Sequence, residues 1–300
     1  MADEQTGIDF DVWGCRGSRN LVPIRSEIGN RTSCYSLLVP GASPTLFVLD
    51  AGRGLAALGY AMLVEARFAG VRTVHVLVTH AHIDHWEGLK DVDWFWQRGN
   101  RLDVTLHGTN EALDAIRAAF EPPSYVALEK LAEGTVHSLR FVERTAGSTW
   151  HEGGVSLSTF ALNHYSGSGD AKRFLDTVGF RLEIAGGPVL AYLSDHEPTE
   201  KTAESERVVA TGANLILYDC HYLETKDHAF GHGSQEYGAA IAGLYPEAAV
   251  FAGHLSPNLS DQAIRDANAR YREVSPNFHL AIEGETFTWD PESRRFGKRA

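Results

Sequence analysis

The chain's most constraining feature is the decapeptide Thr79–Gly88, in which histidines and an aspartate follow the pattern HxHxDH. An apolar run rich in β-branched residues precedes it and predicts a buried strand that ends where the motif begins. On extended backbone His80 and His82 project to the same side, so both can bind one cation. Asp84 and His85 follow where the chain turns toward a helix, and they can face a second cation. Imidazole and carboxylate ligands suit zinc, with manganese or iron as alternatives.

The overall charge restricts the partners of the chain. Its 300 residues can bury a large core without disulfides, and the formal net charge is −12. A protein that binds a nucleic-acid polymer needs a basic surface to displace counterions, and the basic residues here are scattered. The one basic cluster, Arg294–Arg299, is expected to be a solvated end. We therefore expect a small-molecule substrate and no nucleic-acid polymer as partner.

Cysteine usage and hydropathy indicate the compartment. Cys15, Cys34 and Cys220 form an odd set without metal-type spacing, which predicts reduced thiols. The segment Met1–Thr6 is acidic and lacks the apolar core of a secretion signal. No apolar run reaches the length of about eighteen residues that a membrane span needs, so no membrane partner is expected. These features predict a cytoplasmic protein.

The order of predicted elements indicates the fold class. Strand-like segments meander at the start, and a helix is predicted over 55–69. Helices and strands then mix, the second half repeats this order, and a closing strand pair is predicted at 280–282 and 285–289. The pattern predicts an α/β fold with helices on both outer faces of two β-layers, a four-layer αββα sandwich. No linker divides the chain, so residues 1–300 are expected to form one domain.

Three further candidate ligands lie downstream of the motif. His164, Asp195 and His254 each come just after a segment that is predicted to be a strand. The loops after such strands collect at one edge of a sheet, where these side chains can converge on the motif. A histidine or aspartate at one strand end means little, whereas three of them after HxHxDH indicate a metal site.

With these residues the chain resembles the metallo-β-lactamase superfamily of metal-dependent hydrolases, from Trp13 to about Asp261. The resemblance implies two divalent metal ions, with zinc favoured over manganese or iron. It divides the ligands as follows: His80, His82 and His164 for one ion, Asp84, His85 and His254 for the other, and Asp195 between the two. Asp50 is expected to hydrogen-bond a ligand histidine rather than to bind metal.

Further motifs resemble the phosphodiesterase-like branch of the superfamily, which is related to ribonuclease Z. They are the glycine-containing turns at 13–18 and 49–54 and the segment Phe230–Ser234 before a predicted helix. In that branch the histidine of the last segment approaches the scissile phosphate. The resemblance therefore implies a catalytic role for His232, outside the metal ligands.

Two other residues receive catalytic roles from the same resemblance. Asp219 is expected to orient His232, and Asp84 is expected to act in catalysis as well as in metal binding. The chain departs from the branch at Asp219, where ribonuclease Z relatives carry glutamate, and His221 lies close by. It departs again at His196, where threonine is more usual. These departures concern the details of the substrate rather than metal binding.

The resemblance implies hydrolysis of small phosphodiesters, with 3′,5′-cyclic nucleotides as the first candidates. A lactone or other carboxylic-ester hydrolase uses the same metal set and remains an alternative. A tRNA 3′ endonuclease is disfavoured because the insert between the motif and His164 is acidic. An iron-dependent oxidoreductase of the flavodiiron type tends to carry glutamate at the position of His82. A non-catalytic binding protein of this family should lack at least one metal ligand, and all seven candidates are present in this sequence. The family resemblance also suggests a homodimer.

Aromatic residues past the motif have two possible roles. Trp86, Trp94, Trp96 and Tyr125 could stack on a nucleobase of the substrate. Aromatic side chains at helical spacing more often belong to a hydrophobic core. Both interpretations stay open from the sequence.

Overall fold

The computed structural model describes residues 7–21 and 26–299, so the acidic segment Met1–Thr6 lies outside the described residues. The described strands are, in chain order, β1 (Asp9–Gly14), β2 (Cys34–Val39), β3 (Thr45–Leu49), β4 (Thr73–Leu77), β5 (Asp103–Gly108), β6 (Ser138–Glu143), β7 (Thr149–Glu152), β8 (Val155–Ala161), β9 (Tyr165–Ser166), β10 (Arg173–Phe174), β11 (Val178–Ile184), β12 (Val189–Leu193), β13 (Leu215–Asp219), β14 (Ala249–Gly253), β15 (Phe278–Leu280), β16 (Thr286–Asp290) and β17 (Arg295–Lys298). The helices are α1 (Gly54–Val64), α2 (Asn110–Ala119), α3 (Leu128–Ala132), α4 (Ala203–Ala210), α5 (Gln235–Leu244) and α6 (Asp261–Arg272).

The strands form two large sheets and one short hairpin. The first sheet has the order β17-β16-β1-β2-β3-β4-β5-β6, and the second has the order β15-β14-β13-β12-β11-β8-β7. Strands β3 to β6 are parallel to one another, as are β12 to β15, while the remaining neighbours are antiparallel. The hairpin of β9 and β10 stands apart from both sheets. The carboxyl ends of the parallel strands therefore carry the loops that can build a site.

The helices cover the two outer faces. Helices α1, α2 and α3 pack against the first sheet, and α4, α5 and α6 pack against the second. One hydrophobic cluster fills the space between the sheets and under the second set of helices, with aromatic side chains such as Phe10, Phe180 and Phe251. A second cluster lies between the first sheet and its helices. The four-layer αββα sandwich is thus the observed architecture, and it confirms the fold class that the sequence predicts.

Strand β4 shows how the sequence pattern directs side chains to the two faces. Val74 and Val76 point to the helices, whereas His75 and Leu77 point to the layer between the sheets, as the two-residue period of a strand requires. The strand pairs in parallel with β3, with Leu77 opposite Leu49. This register brings the residues that follow both strands together at one edge of the sheet.

Candidate metal centre

Four loops at the carboxyl edges of the two sheets converge on one point. His80 and His82 follow β4, and a short 3₁₀ turn at Ile83–His85 then places Asp84 and His85. The other three candidates follow strands of the second sheet: His164 after β8, Asp195 after β12 and His254 after β14. The side chains of all seven candidates come together there, and six of the seven residues are buried, His82 being half-buried.

Asp195 lies between two groups of histidines. Its Oδ2 is 3.5 Å from His80 Nε2 and 3.4 Å from His164 Nε2. Its Oδ1 is 3.2 Å from His85 Nε2 and 3.1 Å from His254 Nε2. Each carboxylate oxygen therefore faces a different set of ring nitrogens, which is the arrangement expected of a carboxylate that bridges two cations.

The remaining candidates complete the two groups. His82 Nδ1 lies 2.9 Å from His164 Nε2, next to His80. On the other side of Asp195, the Oδ2 atom of Asp84 is 3.4 Å from the Nε2 atoms of both His85 and His254. In each group the possible ligand atoms lie within 4.8 Å of one another. The two groups coincide with the ligand sets that the resemblance implies.

The ring nitrogens have the chemistry of metal ligands. Nε2 of His80 and Nε2 of His85 are buried and have no hydrogen-bond partner among the described residues. His164 donates from Nδ1 to the Gly231 carbonyl over 2.9 Å, which leaves a lone pair on Nε2. That lone pair is directed at another histidine nitrogen, His82 Nδ1, and a divalent cation between them would satisfy both. The residues present therefore fit a divalent metal ion in each group.

Burial and charge set the protonation states around Asp195. Burial lowers the pKa of His164 to about 4, so this ring is neutral near pH 7. Burial alone would raise the pKa of Asp195, but the adjacent histidines, His254 first, hold it well below its usual range. Burial alone would likewise lower the pKa of His254, but Asp195 and Asp219 raise it to about 10. The buried carboxylates of Asp195 and Asp219 are thus stabilised by nearby positive charge. Metal ions would provide this charge when they displace the histidine protons.

Asp50 hydrogen-bonds the candidate ligand His85, as the sequence predicts. Its Oδ2 accepts a hydrogen bond from His85 Nδ1 over 2.7 Å and another from the Tyr192 hydroxyl over 2.6 Å. Its Oδ1 accepts from the backbone N–H of Thr79 over 2.8 Å. These contacts fix the His85 ring so that Nε2 points toward Asp84 and Asp195.

Replacement of Asp50 by alanine is expected to weaken zinc binding by about 10–100-fold, because His85 loses the partner that orients it. The measurement is the zinc dissociation constant, obtained by competition with a chromogenic chelator. Tyr192→Phe is the matched control, because it removes a single hydrogen bond to Asp50 and should have a smaller effect. Equal affinities for the wild type and Asp50→Ala would contradict this role of Asp50.

The proposed catalytic pair lies next to the candidate metal ligands. His232 Nδ1 is 2.9 Å from Asp219 Oδ2, and the His232 ring packs 4.8 Å from that of His164. Asp219 also accepts hydrogen bonds from the backbone N–H groups of His196 and His221, so its position is fixed from two sides. Burial alone would raise the pKa of Asp219, but His232 and His254 hold it well below its usual range. Asp219 is thus ionised and can orient His232.

The structure adds contacts that the sequence does not reveal. The ring of His221 stacks on His232 with a centroid distance of 4.4 Å. Ser18 donates from its backbone N–H to Asp84 Oδ2 over 2.7 Å. The side chain of Ser166 contacts His82 Nε2, the nitrogen that points away from the candidate metal. The Ser18–Asp84 and Ser166–His82 contacts join residues far apart in the chain, and the sequence gives a local signal, the Trp13–Ser18 motif, near only one of them.

A cleft of about 320 Å³ opens onto the two ligand groups. Its lining residues are Ser18, His82, Ile83, Asp84, His164, Tyr165, Ser166, Gly167, Asp195, Phe230 and His232. The aromatic residues past the motif lie elsewhere: Trp86 and Trp94 are buried in the cluster between the first sheet and its helices. Tyr125 packs against the same cluster, and the indole of Trp96 donates to the Lys90 carbonyl over 2.9 Å. The structure therefore supports a core role for Trp86, Trp94 and Tyr125, whereas Trp96 is exposed outside the cleft.

A second group of histidines lies between the sheets, away from the cleft. Arg144 Nε donates to His107 Nδ1 over 3.3 Å, which places the His107 proton on Nε2. That nitrogen lies 3.1 Å from His75 Nδ1, so the next proton is on His75 Nε2, 3.9 Å from Glu152. This series of hydrogen bonds starts at the positively charged guanidinium of Arg144, which would repel a metal ion bound by these histidines. We therefore interpret this group as a structural hydrogen-bond network.

Because His75 and His107 are buried, we expect the protein to lose stability in acid. Burial lowers the pKa of His75 from 6.5 to about 4, so between these values the unfolded chain binds a proton that the folded chain does not. Stability therefore falls as the pH drops from about 7 to about 4, and His75 contributes about 3 kcal/mol of that loss. Urea unfolding of His75→Leu at pH 7 and pH 4 should show a correspondingly smaller difference. An unchanged difference would show that His75 is protonated in the folded state.

The chain belongs to the metallo-β-lactamase superfamily, because the sequence model of the Beta-lactamase superfamily domain matches residues 45–271. This finding confirms the resemblance seen in the motifs. Members of this superfamily are metal-dependent hydrolases that bind divalent ions, often zinc. No curated protein sequence matches the chain at a significant level.

Solved structures share the fold at low sequence identity. Zinc-bound PqqB from Methylobacterium extorquens superimposes with a TM-score of 0.63 and 17% identity, over 93% of this chain and 99% of that chain. Yeast PDE1 gives a TM-score of 0.63 and 14% identity, also over 93% of this chain and 99% of that one. A diphosphatase of the PhnP family gives 0.61 and 16%, over 94% of this chain and 98% of that chain. At these identities the comparison establishes the fold alone.

Among the described residues, no helix has both the length and the apolar character that crossing a membrane requires.

Proposed function

We propose that the protein is a binuclear metal-dependent phosphodiesterase that acts on small phosphodiesters, with 3′,5′-cyclic nucleotides as the first candidates. The observation that carries the proposal is the position of the His232–Asp219 pair beside two ligand groups that share Asp195. Hydrolysis of a diester requires charge neutralisation at the phosphate and a proton for the leaving oxygen. The two ligand groups and the pair match these two requirements.

Each group of side chains has a distinct task in this proposal. Two divalent ions, when bound, neutralise phosphate charge and lower the pKa of water. The seven candidate ligands would hold these ions, with Asp195 contributing one carboxylate oxygen to each group. Asp219 accepts a hydrogen bond from Nδ1–H of His232, so Nε2 is the nitrogen that can deliver a proton to the leaving alkoxide. Ser18 donates to Asp84 and holds this carboxylate in place at the cleft.

The size of the cleft and the charge of the protein favour a small diester. A volume of about 320 Å³ is near the lower end for small-molecule pockets, which span roughly 300–1,000 Å³. The net charge of −12 disfavours a polyanion, since a polyanion gains affinity by exchanging counterions for basic side chains. One diphosphatase shares the fold, which is consistent with phosphoryl chemistry on this scaffold.

The experiment is hydrolysis of a substrate panel by protein loaded with zinc or manganese. The panel contains bis-p-nitrophenyl phosphate, the four 3′,5′-cyclic nucleotides, a phosphomonoester and a lactone. Asp84→Ala serves as the inactive reference, and Asp114→Asn removes a carboxylate on the exposed face of α2 as the matched control. Diester turnover that is lost only in Asp84→Ala supports the proposal. Turnover of the lactone alone would contradict it and would leave His232 without the proposed role.

A further inference from the structure

Two large apolar side chains are exposed at the same cleft. Ile83 is 58% exposed and Phe230 is 50% exposed, and both line the opening above the ligand groups. Single exposed apolar residues are common on protein surfaces and need no explanation. Two of them at the opening of one small polar cleft form an apolar rim beside the charged centre.

The backbone of Phe230 is held in an unusual conformation. Its φ angle is 55°, in the left-handed region that bulky residues rarely adopt. Such conformations persist where the surrounding contacts impose them, and they concentrate at ligand sites. The loop therefore displays the Phe230 ring at the cleft although a glycine would suit this backbone better.

Contacts of the next residue show what imposes this conformation. The Gly231 carbonyl accepts from His164 Nδ1 over 2.9 Å, and the Gly231 N–H donates to Glu197 over 3.2 Å. The same carboxylate oxygen accepts from the Tyr165 hydroxyl over 2.6 Å. A Cβ atom on Gly231 would lie 2.7 Å from His164 Nδ1, so the loop fits tightly against a candidate ligand. Phe230 is consequently fixed relative to the metal centre.

Ile83 is fixed by the motif itself. It lies between His82 and Asp84 in the turn whose flanking side chains face the candidate metal ions. Because those neighbours point to the centre, the Ile83 side chain remains at the opening of the cleft. Its position follows from the HxHxDH spacing, in which it occupies the residue before the aspartate.

We propose that Phe230 and Ile83 form an apolar clamp that binds a flat aromatic group of the substrate while its phosphate lies at the metal centre. The inference rests on the proposed function and narrows its substrates to diesters that carry a nucleobase or an aryl group. An aromatic ring packed on Phe230 gains apolar burial and favourable ring geometry. The divalent ions that the two ligand groups would hold would bind the charged end, so the clamp selects among diesters by the group next to the phosphate.

The test measures binding without turnover. Isothermal titration calorimetry on zinc-loaded protein compares phenylphosphonate with methylphosphonate, which share the charged group and differ in the ring. The wild type should bind phenylphosphonate about tenfold more tightly. Phe230→Ala and Ile83→Ala should each reduce this ratio to about threefold or less and leave the affinity for methylphosphonate unchanged. Trp96→Ala, a change at an exposed aromatic outside the cleft, should keep the full ratio.

A second variant separates recognition from folding. Phe230→Gly also removes the ring, but glycine adopts the left-handed conformation without strain. It should therefore melt at a temperature no lower than that of Phe230→Ala and lose the preference for phenylphosphonate equally. A large fall in melting temperature with an unchanged ratio would show that the ring serves the fold, and it would overturn the clamp.

The outcomes distinguish the clamp from the proposed function. Equal affinities of the wild type for both phosphonates, or a ratio that survives both alanine variants, overturn the clamp even if diesters are hydrolysed. A ratio that depends on Phe230 and Ile83 in a protein without diester turnover supports the clamp and overturns only the phosphodiesterase assignment. Absence of binding by both phosphonates overturns the clamp, since it needs the anion at the metal centre.

Discussion

Replacement of Asp195 by asparagine is expected to reduce diester hydrolysis by about 10³-fold or more, since loss of two-metal charge stabilisation costs several kcal/mol. Asp195 is the residue that contacts both ligand groups, through one oxygen each. Asparagine keeps the shape but replaces one oxygen with an NH₂ group and removes the negative charge. One group therefore loses its carboxylate, and the other retains only a neutral amide oxygen.

The measurement pairs kcat/KM with metal content. Inductively coupled plasma mass spectrometry should find about two metal ions per chain in the loaded wild type, which is the number expected of a two-metal site. Asp195→Asn should retain one or none. Asp114→Asn changes the net charge equally on the surface of α2 and should match the wild type in both respects. Full activity and full metal content in Asp195→Asn would contradict the bridging role.

Replacement of His232 by alanine is expected to slow cyclic-nucleotide hydrolysis by about 10²–10⁴-fold, the usual range for loss of a general acid. The effect should depend on the leaving group. A ribose alkoxide needs a proton as it departs, whereas p-nitrophenolate departs as a stable anion. The same variant should therefore lose no more than about tenfold on bis-p-nitrophenyl phosphate. This contrast arises because His232, oriented by Asp219, is assigned as the proton donor to the leaving oxygen.

The controls for His232 separate proton transfer from positioning. Asp219→Asn should show the same contrast between substrates in weaker form, because it leaves His232 present but poorly oriented. His137→Gln replaces an exposed histidine and should have no effect on either substrate. Equal losses on the two substrates in His232→Ala would contradict the assignment as a proton donor and would indicate a positioning role.

Much of the fold could be predicted because its strands and helices carry strong local signals. Apolar runs predict buried strands over 74–78, 189–193 and 248–251, and the observed strands β4, β12 and β14 agree within two residues. The four-layer arrangement follows from the order of these elements. The predictions fail where local signals are weak or where tertiary contacts override them.

Several elements show this limit. The helix predicted over 55–69 ends at Val64, because Glu65 adopts an extended conformation before a separate 3₁₀ turn. Strand β17 lies within the Arg294–Arg299 cluster, which the sequence suggests to be a solvated end. It remains largely exposed, but it pairs with β16 at the edge of the first sheet. Short strands of this kind depend on a partner strand for their stability, and sequence composition does not reveal the partner.

Some contacts of the candidate site could be predicted from local sequence signals, and others could not. The seven candidate ligands could be proposed from the HxHxDH motif, from residues just after predicted strands and from the family resemblance, and the structure brings their side chains together. The contacts of Gly231 with His164 and of Ser18 with Asp84 could not be predicted from the sequence. They join segments that are distant in the chain and become neighbours only in the folded protein. The exposure of the Phe230 ring could not be predicted from the sequence either, because exposure and backbone conformation are properties of the folded chain.

Anomalous diffraction from crystals grown with zinc, recorded on both sides of the zinc absorption edge, tests the binuclear centre most directly. Two peaks about 3.5–4 Å apart are expected, one on each side of Asp195. The first should lie among His80, His82 and His164, and the second among Asp84, His85 and His254. A single peak, or zinc bound only at the His75–His107 pair, would contradict the binuclear site on which the proposed function depends.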